Sequence, residues 1–374
     1  MLPIVPKYLF DFGVNIQMRY KWCFIILCCF YMQHAQVLKY SNAFLDLGTS
    51  ARALSLSGAV NAGARGLDAA YWNPAGLACT NTNFGAALMH ASYYANLANF
   101  DYAGYLQKLD SVTAFGVSIL RFGIDDIPNT LDLMDAQGNI DYNRITRFSS
   151  ADYAILATYA GKAAFKTPVR YGISFKTLRR FIGPFANAWG FGIDAGIQIS
   201  KGGVNFGIMG RDLSGTFNAW RYTLNDAQKN QLLQTGNMLP QKTLEITSPK
   251  LIIGFSFIKP IGTALTIEAE CNAVNRFDGM HNSIMQSHFW NVDPSAGIEL
   301  AYNKLVFFRL GTGQFQKVWN TRGTYREWTQ DWTTGLGFLF KKMQLDYALC
   351  GIGSTGIGLK SHIFSLTYNW NSKS

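Results

Sequence analysis

The sequence predicts an all-β protein: a transmembrane antiparallel β-barrel of about 14 strands with an N-terminal plug in its lumen. Three observations predict this fold. Beyond about residue 84 the chain divides into segments of some ten residues in which apolar and polar side chains alternate, as in strands. Charged residues in these segments fall on the polar face, and the connections are alternately short and long. Short turns on one side and long loops on the other are typical of outer-membrane barrels.

Composition agrees with closely paired strands that face lipid. Only 15% of the residues are charged, whereas 14% are aromatic and 36 are glycine, and these values exclude a disordered chain. The net charge of +10 raises the question of nucleic-acid binding, but the basic residues form no run longer than a pair. We therefore expect no nucleic-acid partner. The cysteines have no metal-binding spacing, and we expect neither a metal nor a cofactor.

The amino terminus has the features of an export signal. A basic stretch after Met18 precedes the apolar run from Trp22 to Met32, and the small residue Ala35 follows. This run is too short for a membrane-spanning helix, which needs ~20 residues. We expect residues 1–35 to be a leader and signal peptide, with Met18 as the suspected start. The predicted location of the mature protein is the outer membrane of the cell.

Residues 36–83 differ from the rest of the chain and are predicted to form the plug. Small residues dominate this segment, and Asn73-Pro74-Ala75-Gly76 has the chemistry of a tight turn, since proline fixes φ and glycine permits a left-handed conformation. A barrel of fourteen strands has a lumen too wide for its own wall side chains to fill. A compact segment of nearly fifty residues is a plausible filling for it.

Residues 84–374 are predicted to form the barrel. The predicted strands are 84–91, 100–107, 111–121, 151–160, 168–179, 188–199, 203–211, 249–258, 264–274, 294–302, 305–313, 332–340, 343–351 and 361–370. The longest connections are 122–150 and 212–248, and the second is predicted to contain a short helix that begins at Asn225 or Asp226 and ends at Gly236.

The predicted strands sort their charges onto one face. The charged residues on the polar face of the clear strands are Lys176, Asp194, Glu268, Glu270, Glu299, Arg309 and Asp346. A charge on the lipid face near the bilayer midplane costs up to ~2–4 kcal/mol. This sorting therefore favours a membrane barrel over a soluble β-sandwich, which also shows alternation.

The predicted plug resembles that of a known group of outer-membrane proteins. The residues that carry the resemblance are Arg52, Asp68, Trp72, Asn73, Pro74 and Gly76. This arrangement is similar to the PorV/PorQ family, which belongs to the wider superfamily of FadL-type channels, and the last three predicted strands are also similar. The resemblance implies a non-enzymatic component of type IX protein secretion that binds translocon proteins or exported cargo. The alternative is a FadL-type passive channel for hydrophobic solutes.

Two carboxylates are candidate lumen residues. Glu268 and Glu270 lie two apart on one predicted strand, so both side chains point into the lumen. Paired carboxylates can perform acid–base chemistry, but the lumen walls of barrels are routinely polar. We favour a contact with the plug, through Arg52 or Arg65, or a plain polar wall over catalysis, and we expect no enzymatic activity.

The loop 314–331 and its edge form a candidate partner-binding surface. Its aromatic residues are Phe315, Trp319, Tyr325, Trp328 and Trp332, and they alternate with arginine and other charged residues. Aromatic side chains mixed with arginine are typical of protein–protein hot spots. The alternative is that they belong to the aromatic girdle at the membrane surface or fold over the mouth of the barrel. Outer-membrane lipid is a partner under either interpretation.

Three patterns remain. The first two are interpreted as structural features, and the third concerns the alternative function as a channel. Residues 351–356 match G-x-G-x-x-G, but a predicted strand follows them where a dinucleotide site needs a helix. His281 and His288 share one loop without the spacing of a metal motif. A transporter also needs a lateral opening, often made by a kinked strand, and the candidate kinks are Gly116 with Ser118 and Gly254 with Ser256.

Overall fold

The computed structural model describes residues 41–371 except 94–95, 132, 134–137, 164–167, 235, 237, 241–242, 321 and 352–359. The predicted signal peptide and most of the glycine motif at 351–356 lie outside the described residues. The strands are β1 (Phe84–Tyr93), β2 (Ala98–Lys108), β3 (Thr113–Asn129), β4 (Thr146–Ala163), β5 (Val169–Ile182), β6 (Ala186–Lys201), β7 (Val204–Arg211), β8 (Thr216–Tyr222), β9 (Leu244–Thr247), β10 (Lys250–Ile261), β11 (Leu265–Arg276), β12 (Asn291–Tyr302), β13 (Val306–Trp319), β14 (Arg326–Phe340), β15 (Met343–Cys350) and β16 (Ser361–Trp370).

These strands close into an antiparallel barrel with 14 wall positions. The first and last strands pair in register from Phe84↔Trp370 onwards, which closes the sheet. β7 and β8 both pair with β6, while β9 pairs with β8 and β10 pairs with β7. Each of the pairs β7/β8 and β9/β10 is therefore one wall strand with an interruption. The predicted fold class is confirmed, and each predicted strand overlaps an observed one.

The strands are longer than the sequence pattern indicated. β3 and β4 continue past the membrane-length segment, so the predicted loop 122–150 shrinks to 130–145. β8 and β9 likewise take up both ends of the predicted loop 212–248. The helix Asp226–Gln234 lies in what remains, and a reciprocal capping box between Asn225 and Gln228 starts it. We call the side with these loops the loop end and the opposite side the turn end.

The two faces of the wall differ in chemistry. Large apolar side chains are exposed on the outer face, among them Leu88, Ile119, Phe175 and Phe338. The seven charged residues predicted on the polar face are all buried on the inner side. His90, Asp101 and Arg121 depart from this sorting, because they lie on the outer face of β1–β3, where Asp101 pairs with both of the others. The closed wall and its apolar outer face place the protein in the outer membrane.

The described part of the chain contains no helix that is both long and apolar enough to cross a membrane. Short helical turns instead occupy the segment before β1. They are the 3-10 helix Ala43–Asp46, the α-helix Ala51–Ser55, the 3-10 helix Gly66–Asp68, the α-helix Ala69–Trp72 and the 3-10 helix Pro74–Ala78. This segment contacts inward-facing residues from β1 through β16, and its apolar residues form one core with the inner wall.

Candidate functional site in the plugged lumen

Residues 41–83, which we call the plug, are joined to the wall by a network of buried ion pairs. Arg52 contacts Glu299 of β12 at 3.1 Å and Glu268 of β11 at 3.5 Å. Arg309 of β13, which is fully buried, contacts Glu299 at 2.6 Å and Asp346 of β15 at 2.7 Å. Arg65 reaches the same two glutamates from a more exposed position. The adjacent strands β11, β12 and β13, together with β15, are thus linked to the plug by alternating charges.

The two lumen carboxylates have different partners. Glu268 contacts Arg52 and Arg65, the arginines that the sequence suggested. Glu270 instead accepts hydrogen bonds from the backbone N–H groups of Ala62, at 2.6 Å, and Gly63, at 2.8 Å. Each carboxylate therefore contacts the plug. Backbone donors oriented at a carboxylate hold a chain segment in place, and this arrangement offers structural anchoring for both side chains.

The turn motif of the plug fits against the wall on the opposite side. The Asn73 side chain accepts from Ala75 N–H and donates to the carbonyl and side-chain oxygens of Asn61, while Pro74 begins the following 3-10 helix. A Cβ at Gly76 would collide with the carbonyl of Ala64. These residues fold the plug on itself, so the motif has a structural role that turn chemistry explains.

Asp68 and Trp72 hold the central helices of the plug. The Asp68 carboxylate accepts a hydrogen bond from Ser50 Oγ at 2.9 Å, and desolvation in the plug raises the pKa of Asp68 above its ordinary value. Trp72 Nε1 donates to the carbonyl of Thr49, and the indole packs against Gly48 and Gly58 at the distance where a Cβ would clash. The six plug-motif residues thus lie in one body, but only Arg52 among them pairs with a charged wall residue.

The wall is interrupted at one place, between β7 and β8 on one strand and between β9 and β10 on the next. Residues 212–215 lie opposite only residues 248–249, because Arg211 pairs with Lys250 and Thr216 with Thr247. The predicted kinks at Gly116 and Gly254 are wrong, since both residues keep unbroken register with their two neighbours. Residues 212–215 form a bulge, because four residues on this wall strand stand opposite two on the next.

Buried charges lock this interruption. Lys176 of β5, 1% exposed, contacts Asp194 of β6 at 2.7 Å and Asp212 in the bulge at 2.5 Å. Asp212 N–H also donates to the Asp194 carboxylate, and Thr216 Oγ1 donates to Asp212. A single ammonium group thus serves two carboxylates on two strands. Lys176, Asp194 and Thr216 lie on regular strands, and Asp212 lies in the bulge. The contacts of Asp212 with these three residues hold the bulge in its conformation.

The first described residues of the plug lie against the interruption from inside. Asn42 donates to Thr247 Oγ1 and accepts from Asn218, while Asp46 contacts Lys250 at 2.6 Å and Arg276 at 3.2 Å. Desolvation alone would raise the pKa of Asp46, but the charges of Lys250 and Arg276 outweigh it and hold that pKa well below its ordinary value. We call residues 41–49 the latch segment, since they join β8, β9 and β10.

We predict that Asp46→Asn loosens the latch segment at neutral pH. Without the carboxylate, Lys250 and Arg276 lose their shared partner, and residues 41–49 should exchange backbone hydrogens faster. In the native protein the lowered pKa of Asp46 means that its stabilisation is complete above its ordinary pKa of ~4 and is lost only as pH falls below that range. The protection factors of the segment, which are its exchange rates corrected for the intrinsic pH dependence of amide exchange, should thus be constant from pH 8 to pH 5. The exposed turn variant Asp110→Asn is the matched control, and equal exchange in both variants would contradict the prediction.

A cavity of about 560 Å³ lies between the plug and the loops. Apolar residues such as Leu54, Trp72, Ile252 and Val274 share its lining with charged ones, and it reaches the interruption at Arg211, Thr247 and Lys250. It also includes Phe315, which therefore faces the cavity, in agreement with the alternative that aromatics of this loop fold over the mouth of the barrel. His281 Nε2 and Asp278 pair at 2.7 Å on the same wall. That pair lies in the loop after β11 and is part of the cavity lining.

A second cavity, of about 280 Å³, opens at the turn end and includes Arg52, Asp68, Glu299 and Arg309. The helix Ala51–Ser55 lies between the two cavities, because Arg52 lines the lower one and Leu54 the upper one. The ion-pair network is therefore the barrier between a cavity that faces the loops and a cavity that faces the turns. Movement of this helix would join them.

All five predicted partner-binding aromatics lie on the β13–β14 hairpin, and four of them are largely exposed. Trp319, Tyr325, Trp328 and Trp332 are between 53% and 62% exposed. Sequence reasoning missed Asp46, Arg211 and Asp212, and it placed Lys176 on the polar face without its two carboxylate partners. The signal for the bulge was present, since Gly210-Arg-Asp-Leu-Ser-Gly215 breaks the alternation between the seventh predicted strand and its loop.

No family model and no curated protein matches this chain. Solved structures match it in fold. The P. putida toluene transporter TodX gives a TM-score of 0.52 at 14% sequence identity and covers 87% of this chain and 99% of its own. The monoaromatic hydrocarbon channel CymD gives 0.51 at 11% identity, with 87% and 98% covered. A Pseudomonas aeruginosa FadL homologue gives 0.46 at 11% identity, with 86% and 98% covered. At these identities the shared property is the barrel fold.

Proposed function

We propose that this protein is a passive outer-membrane channel for small hydrophobic solutes. The observation that carries the proposal is the cavity of about 560 Å³ beneath the loops. This cavity extends to the place where two adjacent wall strands are interrupted side by side. A cavity of this size suits a small molecule. A solute that enters from the loop end meets the sealed plug below it and the interrupted wall beside it.

The route under this proposal runs through the latch segment. Residues 41–46 cover the interruption by hydrogen bonds and ion pairs and not by a continuous sheet, so they can detach without breaking the barrel. The apolar part of the cavity lining would hold the body of the solute. The charged part, at Asp46, Lys250 and Arg276, belongs to the latch and is where polar groups would be tolerated.

The class of solute is part of the same proposal. The fold neighbours are described as a toluene transporter and a monoaromatic hydrocarbon channel, and both share the barrel architecture with this chain. A small aromatic hydrocarbon fits the apolar residues of the cavity, which include Trp72 and Phe315. We take such hydrocarbons as the first solutes to test.

We predict that Val274→Trp blocks uptake. Val274 faces the cavity from β11, and an indole there would fill the space that the solute needs. Ala273→Trp is the matched control, because the neighbouring residue faces lipid and its new side chain leaves the cavity empty. Uptake of labelled toluene should be measured in intact cells with an outer membrane, with and without the protein. V274W should fall to the rate of cells without the protein, and A273W should keep the native rate; equal rates for the two variants would sink the proposal.

The second candidate function is that of a PorV/PorQ-type component of type IX secretion. Two observations favour it: the similarity of the plug motif, and a lumen in which buried ion pairs separate the two cavities. Such a barrel would bind translocon or cargo proteins and carry no solute. Mild detergent purification from native membranes distinguishes the candidates, since a retained translocon barrel or cargo supports this one and a solitary barrel supports the channel.

A further inference from the structure

The β13–β14 hairpin carries aromatic and basic side chains on its lipid-facing side. Trp332 pairs with Thr312 on the outer face, and beyond the bulge between Gly313 and Gln316 the register continues as Lys317↔Trp328 and Trp319↔Arg326. Alternation along β14 keeps residues 326, 328 and 332 on the same face as Leu336 and Phe338 lower in the wall. We call Lys317, Trp319, Arg326, Trp328 and Trp332 the outer strip.

The position of the outer strip along the wall corresponds to the membrane surface. Ten residues separate Phe338 from Trp328 on β14. At ~3.4 Å per residue and a tilt of ~40°, this is a height of about 25 Å, which equals the apolar band of an outer-membrane barrel. Trp332 thus lies within the upper part of the band, and Lys317 and Trp328 lie where the lipid headgroups begin.

The basic and aromatic side chains of the strip are paired with one another. Lys317 Nζ lies 4.8 Å from the Trp328 ring, and the Arg326 guanidinium carbon lies 5.0 Å from the Trp319 ring. No carboxylate stands on this face of the described hairpin, because Glu327 and Asp331 alternate to the other side. The cations are held against rings and not neutralised, so each keeps its charge available to an anion.

The loop after β11 holds the β13–β14 hairpin in place by hydrogen bonds. Asn282, from the loop after β11, donates to the carbonyl of Lys317 and accepts from its N–H at 2.8 and 2.9 Å. The strip is also continuous with the lipid-facing surface of the same strands, where Leu336 and Phe338 are 45% and 52% exposed. A molecule in the outer leaflet of the membrane can therefore contact the strip directly.

We propose that the outer strip binds the phosphorylated headgroup of an outer-leaflet glycolipid. Lys317 and Arg326 would contact the phosphate groups, and the exposed tryptophan rings would stack on the sugar and the first carbons of the acyl chains. This occupant follows from the one sign of charge on the strip, its height, and its continuity with the lipid-facing wall. A protein partner would have to fit a flat surface that begins inside the bilayer.

The test uses the purified full-length barrel and lipid A, a bisphosphorylated glycolipid, with dephosphorylated lipid A as the comparison. Lys317→Gln/Arg326→Gln should bind lipid A about 30-fold more weakly in native mass spectrometry, since each basic residue near an anionic surface contributes about fivefold. Binding of the dephosphorylated lipid should not change. The matched control is Lys341→Gln/Lys342→Gln at the turn end, where Lys341 lies over the Phe340 ring in a similar pair. Equal loss in both double variants, or none in the first, would overturn the proposal.

A second measurement separates lipid from protein and does not depend on the charge variants. A photo-crosslinking side chain at position 328, introduced in native outer membranes, should yield a glycolipid adduct. A discrete protein adduct in its place would overturn the lipid assignment and point to the protein-docking interpretation of this hairpin. Correct folding of each variant is checked by the heat-dependent gel mobility of the barrel.

Discussion

Arg52→Ala is expected to join the two cavities and make the barrel leak. Arg52 is buried, and its loss leaves Glu268 and Glu299 in the lumen with one partner fewer each. Removing one member of a buried ion pair costs ~3–5 kcal/mol, and the lower end applies here because Arg309 still contacts Glu299 at 2.6 Å. The variant therefore destabilises the docked position of the helix Ala51–Ser55, which separates the two cavities.

The measurement is ion conductance across a planar bilayer, since the native protein should be almost closed to ions and R52A should show frequent open events. The matched control is Arg65→Ala. Arg65 approaches Glu268 more closely, at 3.0 Å against 3.5 Å, yet its side chain is 43% exposed. Solvent screening leaves such a pair worth below ~1 kcal/mol, so R65A should stay nearly closed. A closed R52A, or an R65A as open as R52A, would show that burial at Arg52 does not hold the plug.

The strand pattern of the barrel could be predicted from the sequence, whereas the interruption could not. Alternation is a local property, and a one-residue slip would turn every side chain to the wrong face, so the pattern identifies each strand. The predicted kinks failed because glycines in this wall serve a different purpose. A Cβ at Gly172 would collide with the Pro74 backbone, and one at Gly254 would lie 3.0 Å from Ala62 N. These glycines admit the plug and do not bend the strand.

The candidate site shows the same limit. The sequence indicated that Glu268 and Glu270 face the lumen, because periodicity suffices for that inference. It offered Arg52 or Arg65 as possible contacts but favoured a plain polar wall. It did not indicate that Glu270 binds backbone N–H groups, since the orientation of plug peptides depends on tertiary packing. The sequence left open whether Phe315 binds a partner or folds over the mouth of the barrel, because the register shift between Gly313 and Gln316 depends on tertiary structure.

Lys176→Met is expected to destabilise the barrel more than any other single change considered, by ~3–5 kcal/mol, because it leaves Asp194 and Asp212 buried without their cation. Methionine keeps the length of the side chain, so the effect isolates the lost charge. Urea unfolding of the barrel in detergent measures it. Lys201→Met is the matched control, since Lys201 ends the neighbouring strand in an exposed position and its change should be nearly neutral.

A compensated variant tests whether charge or shape is responsible. In Lys176→Met/Asp194→Asn/Asp212→Asn, the amide oxygens can still accept from Asp212 N–H and Thr216 Oγ1, and no charge remains buried. Replacing a whole buried cluster with neutral groups is often close to neutral in stability, so the triple variant should recover most of the loss. If it recovers stability and also takes up solute at the native rate, the shape of the bulge is sufficient for the proposed uptake and the buried charges only stabilise that shape. If stability returns but uptake does not, the ammonium group takes part in gating. No recovery of stability would contradict the charge argument, because the shape of the cluster would then be the cause.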